Sequence, residues 1–273
     1  MNVVNGNFAH AEGRNTAASG NQAHAEGFNT VASGAGSHAE GGDGTNKGGT
    51  ATGAGSHAEG LSSLASSIGS HAEGWSTYSI GYATHAEGIA TSADARGAHA
   101  EGGFGYDKSI SSYNEAGQVT KSIVSNIPYN STFAHKMAAH TEGAGTYAEG
   151  FASHAEGCGS YVKAGSHGAH AEGGEVIKVL CSEYDLSNRL SAKWEQYECI
   201  NSTSAMNVAA HAEGLATYAS GKASHAAGIS AVAAGNYSYV WNGISSTNYN
   251  PSTGDGTFCI NPVDSTNGFY IGN

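Results

Sequence analysis

Small apolar and polar positions alternate along this chain within a unit of 14 residues. The most constant string of the unit is His-Ala-Glu-Gly, seen at residues 24–27 and again at residues 57–60. Successive side chains of a β-strand point to opposite faces, so His and Glu share one face and the intervening Ala lies on the other. The pattern therefore predicts strands with one polar face and one face of small apolar residues.

The spacing of the histidines shows how far the unit extends. Successive copies lie 14, 14, 19, 14, 14, 14, 41, 14, 16, 41 and 14 residues apart. Each unit also contains two similar halves, because Ala32-Ser33-Gly34 precedes Ala39-Glu40-Gly41 by seven residues. Such constant phase is the signature of a repeat architecture.

Seven residues suffice for a short strand and a tight turn that contains Gly, and two such halves make one flat coil. One coil cannot bury a face alone, so coils must stack, with parallel strands about 4.8 Å apart. A helix is disfavoured, because Gly at every seventh position costs about 1 kcal/mol each relative to Ala. The prediction is an all-β fold, a parallel β-roll or β-solenoid of 14-residue coils.

The motif Ser-His-Ala-Glu-Gly, at residues 37–41, 56–60 and 70–74, resembles a known family. It stands where the head repeats of trimeric autotransporter adhesins carry Ser-Val-Ala-Ile-Gly. The His-Ala-Glu-Gly version is similar to repeat arrays of phage tail fibres and bacterial surface fibres. The resemblance covers roughly residues 6–243 and implies a left-handed β-roll in a homotrimer.

In this chain polar residues replace the apolar Val and Ile of the adhesin repeats. Buried imidazoles and carboxylates without partners cost several kcal/mol each, so we expect them to pair in ladders. The predicted structural ladder comprises His10, Glu12, His24, Glu26, His38, Glu40, His57, Glu59, His71, Glu73, His85, Glu87, His99, Glu101, His140, Glu142, His154, Glu156, His170, Glu172, His211, Glu213 and His225. Tyr239 and Trp241 then occupy the His and Glu positions, which predicts a large apolar plug that ends the stack.

Two stretches depart from the repeat, and both follow a Gly-Gly pair. We place these inserts at about residues 104–135 and 174–207, within a roll that spans residues 1–243. The first insert is expected to form a hairpin that turns at residues 115–118, and the second begins with the strand-like residues 175–181. Residues 244–273, which break the 14-residue rule, are assigned to a C-terminal closing segment.

Composition and charge narrow the function. The net charge of −12 argues against nucleic acid as a partner, because phosphate binding requires basic patches. The sequence contains no recognisable secretory signal and no apolar run of 18 residues, so we expect no membrane insertion. Cys158, Cys181, Cys199 and Cys259 show no C-x-x-C spacing and leave the redox compartment open.

The combination of His and Glu also suits metal binding or acid–base catalysis, but a zinc-protease motif requires two His one turn apart on a helix. A structural ladder is therefore our interpretation: no catalytic residue, no metal and no cofactor is expected. A polysaccharide-degrading tail spike remains an alternative, since it needs two carboxylates about 5–10 Å apart. The candidate carboxylates are Asp107, Glu115, Glu175, Glu183, Asp185, Glu195 and Glu198.

Aromatic residues of the inserts are the candidates for binding a receptor, because aromatic rings stack on sugars. They are Tyr106, Tyr113, Tyr129, Tyr184, Trp194 and Tyr197. We expect a non-enzymatic fibre and receptor-binding protein in the virion of a phage-type particle, because neither an export signal nor a C-terminal membrane segment is recognised. Its expected partners are its own copies, other virion or fibre proteins, and a host surface glycan or protein. A bacterial surface adhesin is the alternative.

Overall fold

Strands of two to five residues alternate with tight turns along the repeat and stack into a parallel β-solenoid. The computed structural model has about 13 coils of about 14 residues, which confirms the all-β roll that the sequence predicts. It describes residues 1–44, 48–113, 119–129, 132–184, 190–243 and 254–261. Two long parallel sheets form the solenoid and a third sheet is formed by the inserts.

One long sheet carries the His-Ala-Glu strands and is called the ladder sheet. Its 14 strands pair residue for residue, so that His71 lies between His57 and His85. The strands are His10–Ala11, His24–Ala25, His38–Ala39, His57–Leu61, His71–Trp75, His85–Ile89, His99–Ala100, His140–Ala144, His154–Cys158, His170–Gly173, His211–Leu215, His225–Ile229, Tyr239–Asn242 and Phe258–Asn261.

The other long sheet, called the variable sheet, has 13 short strands whose outward residues differ from coil to coil. The strands are Val3–Val4, Ala17–Ala18, Val31–Ala32, Thr50–Ala51, Leu64–Ala65, Tyr78–Ser79, Thr91–Ala93, Thr132–Ala134, Tyr147–Ala148, Tyr161–Val162, Ser204–Ala205, Tyr218–Ala219 and Val232–Ala233.

Alanine fills the space between the two sheets. Ala72 of the ladder sheet and Ala65 of the variable sheet are fully buried, as are their equivalents in most coils. Polar groups inside the coil are satisfied locally, since the buried Ser70 hydroxyl donates to the Ser67 carbonyl oxygen at 2.7 Å. Small side chains therefore let the sheets approach closely, and the hydrophobic core is thin but continuous.

The Gly of each His-Ala-Glu-Gly string has a steric reason. Gly74 has a φ of +112°, and a Cβ added there would lie 2.2 Å from the carbonyl oxygen of Gly88 in the next coil. Real Cβ atoms do not approach a backbone oxygen so closely. Stacking in register thus requires Gly at this position in coil after coil.

Positive φ is not confined to glycine, although the sequence analysis assigned the turns to Gly. Sixteen non-Gly residues in the described ranges adopt it, among them Ser62, Ser76 and Ala90. The Ala90 amide donates to the Trp75 carbonyl oxygen of the preceding coil at 2.9 Å, and Ser76 does the same to Leu61 at 2.8 Å. These bonds between coils compensate for backbone strain that an isolated turn would not tolerate.

The two inserts form hairpins, and the hairpins join into one insert sheet. Phe104–Tyr113 pairs antiparallel with Val119–Tyr129, and Glu175–Tyr184 pairs antiparallel with Leu190–Ile200. Phe104–Tyr113 also pairs with Leu190–Ile200 through Lys108 to Ile110, which the sequence analysis did not anticipate. The expected turn at residues 115–118 lies outside the described residues.

The solenoid continues beyond residue 243, where the sequence analysis began the closing segment. Phe258–Asn261 pairs in parallel with Tyr239–Asn242, matching Phe258 to Tyr239 and Cys259 to Val240. The step from Tyr239 to Phe258 is 19 residues, the same as the step from His38 to His57. Residues 244–253 and 262–273, the rest of that segment, lie outside the described residues.

Two further observations complete the fold. Cys158 takes part in a disulfide bond, and Cys259 is half-buried. Among the described residues there is no helix of the length and apolar character needed to cross a membrane.

Candidate functional site: the histidine and glutamate ladders

The twelve histidines of the repeat form one continuous column, the histidine ladder, on the outward face of the ladder sheet. Ring centroids of consecutive histidines are 4.5 to 5.1 Å apart, and most ring pairs are within about 5° of parallel. The inserts do not interrupt the column, since His99 stacks on His140 at 4.8 Å and His170 on His211 at 4.9 Å. The Tyr239 ring meets His225 edge-on and stacks on Phe258, which extends the column in aromatic form.

The eleven glutamates of the repeat form a parallel column, the glutamate ladder, two residues along each strand. In most coils imidazole Nε2 lies near a carboxylate oxygen of its own coil, at 3.7 Å for His71 and Glu73. Several histidines also face the preceding coil, as in the 3.5 Å separation between His57 Nε2 and Glu40 Oε1. The Nε2 atoms of His24 and His57 therefore lie between two carboxylates.

These nitrogens are close to carboxylates without being hydrogen-bonded. The separations of 3.5 to 4.0 Å exceed the usual N–H···O range of about 2.7–3.2 Å. Nε2 has almost no solvent access and no hydrogen-bond partner in His24, His38, His57, His71, His85, His99, His140, His154, His170, His211 and His225. Burying such a nitrogen without a hydrogen-bond partner costs free energy of folding. Within a single chain the ladder therefore lacks the groups that would satisfy these nitrogens.

The carboxyl groups of neighbouring coils hydrogen-bond one another, and raised and lowered pKa values alternate from Glu73 to Glu172. A hydrogen bond to Glu87 raises the pKa of Glu73 to about 7, while its bond to Glu73 lowers the pKa of Glu87. The pKa is also raised in Glu26, Glu101 and Glu156, and lowered in Glu40, Glu142 and Glu172, with a neighbouring carboxyl group as the largest cause. Because a carboxyl group must hold a proton to donate, a raised pKa marks the members that donate and a lowered pKa marks those that accept.

Six of the ladder histidines have a lowered pKa, for a different reason. Burial lowers the pKa of His71, and the adjacent rings of His57 and His85 lower it further. The same causes lower the pKa of His38, His99, His154, His170 and His225. Neutral imidazole stacks without charge repulsion and keeps a ring nitrogen free to accept a proton or a metal ion.

The arrangement suits ligation better than catalysis. In groups such as His71, Glu73 and His85, one ligand atom from each residue lies within 4.8 Å of the others. A catalytic site would need a cleft that holds a substrate, whereas this face repeats the same pair in coil after coil. The ladder face differs from a catalytic site in its regular alternation of imidazole and carboxylate side chains.

The aromatic residues assigned to receptor binding all lie on the insert sheet. Tyr106 and Tyr113 are on its second strand, Tyr129 on the first, Trp194 and Tyr197 on the third, and Tyr184 on the fourth. Trp194 is opposite Lys108 of the other hairpin and Tyr197 is opposite Lys178. Their side chains lie outside the described part of the chain, so their role stays a prediction.

A second set of aromatic residues, on the variable sheet, was not recognised from the sequence. Tyr78, Tyr147 and Tyr218 are exposed there, and the Phe133 ring stacks on Tyr147 at 5.1 Å. The signal was present, because each of these tyrosines follows a ladder histidine by seven residues.

A cluster beside the first insert contains the residue types of a catalytic triad, Ser92, Asp94 and His135. They contact one another in a different order. The Ser92 hydroxyl and the His135 Nδ1 atom both contact the Asp94 carboxylate, at 2.5 and 2.6 Å. Nucleophilic catalysis requires the imidazole next to the hydroxyl, whereas here the carboxylate lies between them. The cluster therefore links two coils of the variable sheet.

The chain matches no protein-family model, and no curated protein is significantly similar to it in sequence.

Proposed function

We propose that this protein is a non-enzymatic fibre segment of a phage-type particle, in which the β-roll is left-handed and homotrimeric and the insert sheet attaches to a host surface. The observation that carries the proposal is that the two interruptions of a regular rod converge on one sheet. Both inserts leave the ladder sheet after an equivalent Gly-Gly pair and add 27 residues to the 14-residue step. Recognition surfaces are commonly grafted in this way on a rigid repeat scaffold.

Trimer formation is supported by the ladder face. His71 and Glu73 side chains remain 35% and 33% exposed, although the Nε2 atom has no partner within the chain. By analogy with the adhesin repeats, this face would turn towards the other protomers, where further polar groups would complete the contacts. About 13 coils at about 4.8 Å give a rod about 60 Å long, which suits a spacer between a particle and a receptor.

Deletion of both inserts tests the proposal. Removal of residues 104–130 together with 175–201 restores the 14-residue step at both places. We expect light scattering to show that the trimer persists, while binding to host cells and to arrays of bacterial surface polysaccharides is lost. Both inserts are removed together, because removing one would expose the strand edge that the other now covers.

A matched control deletes residues 57–70, a complete coil that carries no insert. This variant should keep target binding and shorten the rod by about 4.8 Å. Unchanged binding by the double-insert deletion would overturn the attachment role. A monomeric full-length protein would overturn the trimer.

A further inference from the structure

We propose that the paired ladders bind divalent transition-metal ions, with one ion held by two adjacent coils through two imidazole nitrogens and two carboxylates. The coils of His71, Glu73, His85 and Glu87 provide one such set. His71 Nε2 lies 3.7 Å from Glu73, His85 Nε2 lies 3.8 Å from Glu87, and one atom each of His71, Glu73 and His85 fall within 4.8 Å of one another.

The separations are close to those around a tetrahedral ion. Bonds of about 2.0–2.1 Å to nitrogen and oxygen place tetrahedral ligands about 3.4 Å apart. Within each coil the His–Glu separation exceeds this by only a few tenths of an ångström, whereas Glu73 and His85 of neighbouring coils lie within 4.8 Å. The two imidazole nitrogens must approach each other by roughly 1 Å, which tilting of the two rings supplies.

The unpartnered nitrogens are an independent indication of a missing ligand. The Nε2 atoms of His71 and His85 are shielded from water and accept or donate no hydrogen bond within the chain. A bound cation would satisfy them and would also neutralise the carboxylates that face them. A purely structural pairing of His with Glu would instead bring each N–H within about 3 Å of an oxygen.

Charge determines the stoichiometry. Because ligands bind a metal ion in their deprotonated forms, two coils would contribute two uncharged imidazoles and two carboxylates, which balance one divalent ion. One ion in every coil would leave excess positive charge at a spacing near 4.8 Å. The eleven ladder glutamates therefore correspond to about five ions per chain. Imidazole with carboxylate favours zinc and its first-row neighbours over calcium or magnesium, which prefer all-oxygen sites.

All four ligands come from one chain, so the inference does not depend on the trimer or on host attachment. The test uses the full, untagged chain after treatment with EDTA and dialysis. Calorimetric titration with Zn²⁺ should saturate near five ions per chain, whereas Ca²⁺ should give no saturable binding. Titration with Co²⁺ should produce the intense visible absorption of tetrahedral coordination.

Paired variants locate the ions. Glu73→Gln with Glu87→Gln removes both carboxylates of one set and should lower the Zn²⁺ stoichiometry by one ion. Glu149→Gln is the control, because this carboxylate accepts a hydrogen bond from Tyr161 at 2.9 Å on the variable sheet and lies away from the ladders. It should retain all the ions.

Three results would overturn the proposal: fewer than one Zn²⁺ per chain, equal uptake of Ca²⁺, or an unchanged stoichiometry in the Glu73→Gln, Glu87→Gln variant. The Co²⁺ spectrum of the unsubstituted chain decides the matter even if that variant fails to fold. An octahedral spectrum throughout the titration would reject the four-ligand site.

Discussion

The two outward faces of the solenoid obey different rules although they enclose the same alanine core. On the ladder sheet the outward positions are His and Glu in almost every coil, whereas the variable sheet places Ala17, Leu64, Tyr78, Ser92 and Phe133 at one equivalent position. Both faces stack at the same spacing, so stacking alone does not demand uniform side chains. A uniform face indicates a contact that is repeated identically in each coil.

The two faces differ in the partners that their outward side chains require. An exposed Tyr78 on the variable sheet is satisfied by solvent and by its strand neighbours. A ladder histidine is desolvated at Nε2 and needs a second group, whether an ion or a protomer. The predictions below test this contrast, beginning with the largest expected effect.

The backbone beneath the glutamate ladder should be the least tolerant part of the coil. Gly74→Ala places a Cβ against the Gly88 carbonyl oxygen at a φ of +112°, so we expect the free energy of unfolding to fall by about 3–5 kcal/mol. Gly69→Ala is the matched control, since its Cβ would meet nothing within 4 Å and only the φ of +63° is strained. Its expected cost is about 1 kcal/mol.

Thermal or denaturant unfolding of the two variants measures the difference. Equal losses would show that positive φ, rather than the close approach of stacked coils, explains the glycine of the repeat.

Acid should affect the stability of the metal-free protein through its histidines and its glutamates with different signs. Their pKa is lowered in the folded chain, so the stability they contribute is complete above the unfolded value of 6.5 and declines as pH falls below it. Glu87 and Glu142, also with lowered pKa, lose their contribution below 4.5. Glutamates with raised pKa act in the opposite sense, because their contribution is present below 4.5 and is lost as pH rises through about 7.

Between pH 4.5 and 7 the raised glutamates oppose the histidines, so the melting temperature in EDTA should change little over that range. It should fall below pH 4.5, where the lowered glutamates lose their contribution. A melting temperature that stays flat down to pH 3 would mean that the lowered glutamates contribute nothing to folding.

The regular part of this fold could be predicted from the sequence because its strands and turns depend on residues close together in the chain. The 14-residue step, the alternation of His-Ala-Glu and the glycine that follows each fix strand, face and register together. The coil at Phe258 escaped notice because Phe, Cys and Ile replace His, Ala and Glu, leaving only the pattern of residues 254–257 to match residues 235–238.

The rest depends on contacts between distant residues. Pairing of the two hairpins joins Lys108 to Trp194, and no periodicity connects these positions. The alternation of carboxyl titration could not be predicted either, because identical glutamates become unequal only when stacking brings them within hydrogen-bonding distance. The ladder residues were thus predictable, whereas the state of their protons was not.

Substituting alternate glutamates should separate the two proton states at pH 6 in EDTA. Glu73 has a pKa raised to about 7 and holds its proton at this pH, so Glu73→Gln mimics the protonated form and should change stability by less than about 0.5 kcal/mol. Glu87 has a lowered pKa and accepts from its neighbours, so Glu87→Gln should cost about 1 kcal/mol. Denaturant midpoints that are equal for the two variants would contradict the alternation.

Substitutions on the variable sheet should have the smallest effects and should depend on the neighbouring coil. Tyr78 is 42% exposed and lies between Leu64 and Ser92, so Tyr78→Ser should change the free energy of unfolding by no more than about 0.5 kcal/mol. Phe133 stacks on both Tyr147 and His135, so Phe133→Ser should cost about 1 kcal/mol through the lost ring contacts. Thermal unfolding of both variants measures these costs.

If Tyr78→Ser were as damaging as a ladder substitution, the variable sheet would also make a repeated contact that one chain does not reveal, and the contrast between the faces would fail. A small cost at Tyr78 with a larger one at Phe133 would instead show that this face gains stability only where aromatic rings happen to meet.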